Sequence, residues 1–117
     1  MSVQVIIVAV LFALMGIGAF VRPRTFVVPF GLAAETPDAR NEIQAVYGGF
    51  GLAVAATLVA ASSYPQLRDG VVVTVAASLA GMAGGRAVAA LRERPGRWPV
   101  IFFFVEAAGA VFLATAL

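Results

Sequence analysis

Apolar residues along this chain form four long blocks, and the polar residues collect between them. The first block, Val3 to Val21, has no charge and stops at Arg22-Pro23-Arg24. The second, Ile43 to Ser63, also has none and stops at Tyr64-Pro65. The third, Gly70 to Leu91, contains only Arg86 and stops at Arg92-Glu93-Arg94-Pro95-Gly96. The fourth, Pro99 to Leu117, contains only Glu106. A hydrocarbon layer about 30 Å thick needs roughly 20 apolar residues of helix to cross it. Blocks of 19 to 22 residues fit that length and are far too long for buried strands. The pattern predicts an all-α protein, an integral membrane four-helix bundle formed as one domain over residues 1–117. The helices are expected at about 3–21, 37–63, 70–94 and 99–117. A cleaved signal peptide is the other reading of the first block. It fits poorly, because no Lys or Arg precedes the block and the block is longer than a signal's apolar core.

The connections set the arrangement. Thr36 has the chemistry of a helix N-cap, with Pro37 at the first helical position and Asp38 in the first turn. Helix two is therefore expected to start before its apolar block. Phe26-Val27-Val28-Pro29-Phe30 is apolar but broken by proline, and is expected to lie in the membrane interface. Pro95-Gly96 marks a tight turn between helices three and four. Short connections make helices two to four sequential antiparallel neighbours. Tyr64 and Trp98 stand where interfacial aromatics belong. Arg22, Arg24, Arg40, Arg92, Arg94 and Arg97 fall in the first and third connections, against Arg68 alone in the second. Six against one is a strong positive-inside bias. Both termini are then expected on the non-cytoplasmic side of a bacterial inner (plasma) membrane, with the chain multi-pass.

Composition removes several classes of chemistry. Charged residues are 12% of the chain, against about 25% in an ordinary soluble domain. Mean hydropathy is +0.98, which excludes disorder. There is no cysteine and no histidine, so disulfides, thiolate catalysis, histidine-ligated metals and haem are excluded, and no cofactor or metal site is expected. The eight basic residues, all Arg, outnumber six acidic ones. The resulting pI near 9.9 does not indicate nucleic acid, because the arginines sit in short connections and form no basic stripe on a soluble scaffold.

In lipid, small residues that let backbones approach mark helix interfaces. Ala9, Ala13 and Gly16 share a face of helix one; Gly48, Gly51, Ala55 and Ser62 lie along helix two; Thr74, Ser78, Gly81 and Gly85 lie along helix three. These stripes are expected to pack within the bundle or against a second chain. The intramembrane charges are more distinctive, since such charges are costly and tend to pair. Arg86 lies nine residues before Pro95 and Glu106 eleven after it. In a helical hairpin both then stand about 8–11 Å inside their helix ends. Glu42 and Tyr47 enter from the same side, so Glu42, Tyr47, Arg86 and Glu106 form the candidate polar cluster. It reads as a buried pair fixing helix register, as a pocket for an amphiphile headgroup, or as an acid–base site on Glu106. Two carboxylates and one arginine do not define a reaction, and no catalytic residue is assigned.

The motif set resembles a family of small four-helix bacterial membrane proteins known only as a domain of unknown function, related to the DoxX-like membrane proteins. The likeness runs over nearly the whole chain: Pro23 after helix one, Asn41-Glu42 and Tyr47-Gly48-Gly49 opening helix two, Gly85-Arg86 late in helix three, and Glu106 in helix four. Gln44 departs from the pattern, which often has Arg there. The resemblance implies the four-helix membrane fold and no activity; the association of DoxX-like proteins with membrane redox complexes is an analogy only. Three functions remain open: a non-catalytic scaffold or accessory subunit, with membrane lipids, copies of itself or other membrane subunits as partners; a binder or carrier of a lipid, quinone or other hydrophobic small molecule; and a membrane enzyme using Glu106.

Overall fold

The fold was obtained as a computed structural model, which describes residues 1–117. Four long helices carry the chain, and each is long and apolar enough to cross a membrane. We label them α1 (Val3–Val21), α2 (Pro37–Ala61), α3 (Pro65–Arg92) and α4 (Arg97–Ala114). There are no strands.

Each boundary has a local cause. Ser2 caps α1, its hydroxyl accepting from the Val5 N–H at 3.3 Å, and the restricted residue before Pro23 ends the helix. Thr36 caps α2 by accepting from the Ala39 N–H at 3.0 Å, with Pro37 and Asp38 in the first turn. α3 begins at Pro65 rather than at residue 70. Proline's fixed φ starts the helix outside the apolar block, so polarity did not mark the true boundary. It ends at Arg92 rather than 94, since Glu93 is already extended ahead of Pro95. α4 begins at Arg97, two residues earlier than expected, which places Trp98 in its first turn, and it ends at Ala114.

α2 is not uniform. Gln44–Gly49 is a π-helical segment between two α-helical stretches. Its buried positions follow suit: Ile43 and Gly48 are five residues apart, whereas Gly48, Gly51, Ala55 and Leu58 keep spacings of three and four. The wide turn therefore presents Ile43 and the later residues to different neighbours.

The largest core cluster lies toward the end that holds both termini. It joins Val5, Val8 and Phe12 of α1, Leu58 of α2, Val72, Val75 and Leu79 of α3, and Leu113 of α4. That end is fastened by Gln4 Nε2 donating to Thr115 Oγ1 at 3.2 Å and Arg68 Nη2 donating to the Ala116 carbonyl at 2.9 Å. A smaller cluster of Ala19, Val27, Ala34 and Ile43 forms at the other end. Residues 22–36 fold back there as a helical turn (Pro23–Phe26) and a 3-10 turn (Val28–Phe30) reversed at Gly31. The apolar segment expected in the interface is thus partly an internal plug, with Val27 only 1% exposed.

The tightest helix contacts are α1 with α2 and α3 with α4; α2 and α3 meet loosely despite their short connection. An open groove of about 510 Å³ runs between those two, lined by residues including Phe50, Thr57, Leu67 and Thr74. The glycines explain the difference. A Cβ on Gly16 would meet the Gly48 carbonyl oxygen at 2.7 Å, and one on Gly51 would meet the Phe12 carbonyl oxygen at 2.8 Å. Gly48 is filled by the Phe20 ring. Gly81 and Gly85 do not pack within the bundle: nothing lies within 4 Å of a Cβ on either. Their face of α3 is turned away from the core residues Val72, Val75, Leu79 and Ala83. On that same face Thr74 donates to the Gly70 carbonyl and Ser78 to the Thr74 carbonyl, both at 2.8 Å, so these hydroxyls are satisfied within their own helix and tie no helices together.

Candidate functional site

Arg86 and Glu106 meet on the facing sides of α3 and α4. Nε of Arg86 donates to Oε1 at 2.6 Å and Nη2 donates to Oε2 at 3.1 Å, a bidentate fork in which both carboxylate oxygens are held. Glu106 is buried, while 28% of the Arg86 side chain stays exposed. The pair arises because Glu93 to Gly96 turn the chain back tightly enough to bring the two helices side by side.

Two aromatic rings complete the surroundings. The Arg86 guanidinium carbon is 5.8 Å from the Phe30 ring and 5.6 Å from the Phe102 ring, within cation–π range. The rings themselves are 5.0 Å apart, so both lie on one side of the guanidinium. Phe102 comes from α4, one turn before Glu106. Phe30 comes from the folded-back connection, whose 3-10 turn delivers it. Neither was singled out from the sequence. The signal available was weak: an aromatic next to a proline in an apolar connection, and a phenylalanine four residues before Glu106 on the same helix face.

The other expected members are placed differently. Tyr47 meets Phe26 at a tilt, ring centres 5.4 Å apart, and Phe26 lies 6.3 Å from Phe30, so Tyr47 is joined to Arg86 through two rings. It sits in the π-helical segment. Glu42 is exposed and makes no ion pair or side-chain hydrogen bond, so the structure does not join it to the pair. Gln44 instead donates from Nε2 to the Phe20 carbonyl at 3.0 Å, satisfying a carbonyl at the end of α1 and holding α1 to α2. No three carboxylates gather to hold a metal ion. Trp98 lies 6.3 Å from Phe102, with Arg97 over its ring at 5.4 Å, extending the aromatic layer to the helix end.

An all-helical chain with four span-length apolar helices and one buried Arg–Glu fork defines a class of small helical protein suited to a membrane. The whole chain, residues 1–117, matches the family described as Domain of unknown function (DUF4345), and it belongs to that family. No curated protein and no solved structure matches it.

Proposed function

We propose that the chain is a multi-pass protein of a bacterial inner membrane, with both termini on the non-cytoplasmic side, acting as a non-catalytic scaffold or accessory subunit of a membrane assembly. The closed Arg86–Glu106 fork carries this reading. Both oxygens of the Glu106 carboxylate are taken by the guanidinium, which suits a lock between α3 and α4 better than an acid or base on Glu106. The kinship with DoxX-like membrane proteins belongs to the same reading and adds no activity to it. A bundle that turns long rows of apolar side chains outward, among them Leu14, Phe104 and Val111, has surface for lipid and for other membrane chains.

A second reading, binding or carriage of a lipid, quinone or similar molecule, is favoured by the open apolar groove between α2 and α3. Affinity purification of a tagged copy at native expression level separates the two. The scaffold reading expects a second copy or another membrane chain to copurify in fixed proportion. A lone monomer carrying only a small molecule would overturn it.

A further inference from the structure

The Arg86 guanidinium is only half used. Arginine carries five N–H donors, and Glu106 takes the Nε–Nη2 edge. The outer edge, formed by Nη1 and the second hydrogen of Nη2, has no partner. No fully buried side-chain atom lacks a hydrogen bond, so these donors lie at the accessible rim. Phe30 and Phe102 flank the guanidinium at 5.8 and 5.6 Å, and 28% of the side chain stays exposed.

The depth of this edge narrows what can reach it. The 28 residues of α3 span about 42 Å, close to a whole bilayer with its headgroups. Arg86 lies six residues, or about 9 Å, before the end of α3, at the border between hydrocarbon and headgroups. A free donor fork at that border is costly without an acceptor; carboxylate and phosphate both match a planar guanidinium fork in two places, and phosphate is the one that every phospholipid carries at that depth. The same end of the bundle carries Arg22, Arg24, Arg40, Arg92, Arg94 and Arg97, none in an ion pair, which favours a headgroup of net negative charge.

We propose that the outer edge of Arg86 binds the phosphate of an anionic phospholipid, with the ring pair Phe30–Phe102 walling one side of the site. The proposal rests on the membrane-spanning reading. The two fail separately, since a chain that does not insert is absent from the membrane fraction before any lipid is added.

Native mass spectrometry of the full chain in a neutral detergent tests it, with phosphatidylglycerol, phosphatidylcholine or inorganic phosphate added. The wild type is expected to bind phosphatidylglycerol about tenfold more tightly than a variant lacking the guanidinium, the scale of one hydrogen bond to a charged group, and more tightly than phosphatidylcholine, whose headgroup has no net charge. Glu106→Gln frees the guanidinium of its own carboxylate and should strengthen phosphatidylglycerol binding. Replacing both charges, Arg86→Gln with Glu106→Gln, strands neither and should lose that tenfold in phosphatidylglycerol affinity. Wild-type affinity for phosphatidylglycerol in that double variant overturns the proposal, as does equal binding of the two lipids by the wild type. Displacement of phosphatidylglycerol by millimolar inorganic phosphate overturns the lipid source in favour of a free-phosphate site. Should the double variant not fold, Glu106→Gln decides alone: unchanged or weaker binding of phosphatidylglycerol refutes the assignment.

Discussion

Glu106 is the residue on which most of the polar chemistry converges. Removing its partner leaves a buried carboxylate without a counter-charge. Arg86→Ala and Glu106→Ala should each lower stability by about 2–4 kcal/mol, somewhat under the cost of breaking a fully buried pair because Arg86 keeps partial solvent access. Thermal unfolding in detergent measures this, and the charge-swapped pair Arg86→Glu with Glu106→Arg should recover part of the loss. Full stability in either single variant would mean the fork is dispensable. The pairing was legible in the sequence because a short hairpin converts sequence distance from Pro95 directly into depth. The place of Phe30 beside the pair, and of Tyr47 two rings away from it, was not legible in the same way. Their positions depend on how residues 22–36 fold back and on a wide turn in α2, and neither leaves a periodic signal.

At the scale of the helices, the glycines separate into two kinds. Gly16→Ala should lower the melting temperature, because its Cβ would meet the backbone of α2 and overpacking of this sort costs about 1–3 kcal/mol. Gly81→Ala should leave the melting temperature unchanged or raise it, since the new methyl meets nothing and alanine favours helix over glycine by about 1 kcal/mol. Equal effects from the two would refute the distinction. Sequence spacing alone did not make it, because a small-residue stripe looks alike whether it faces a neighbour or turns away. The four helices were legible from block length, but their pairing was not. Loop length suggested close contact between α2 and α3, whereas the tight α1–α2 contact is set by Gly16, Gly48 and Gly51 across the longest connection. The π-helical segment left one trace, the five-residue step from Ile43 to Gly48, visible only once burial is known.

For the whole molecule, the arginine asymmetry and the helix count make a single topological prediction. A periplasmic-type reporter fused after Leu117 should be active and a cytoplasm-dependent one silent. The reverse pattern would place the arginine-rich connections outside, against the positive-inside rule. The flattened bundle, 43 × 32 × 18 Å, has few interior positions to hold α4, and only 11% of that helix's apolar window is buried. The fork described above then bears on how such a chain is made. A lone charged side chain costs up to about 3 kcal/mol to insert at mid-membrane and less toward the headgroups, and the apolar blocks within α3 and α4 each carry one, Arg86 and Glu106. Released from the translocation machinery one at a time, each helix would enter lipid with a bare charge. If the chain inserts as proposed, joint release as a hairpin closed at Pro95-Gly96 would bring the two charges into lipid already paired, so the bond that fastens the finished fold would also favour joint release of its last two helices from that machinery.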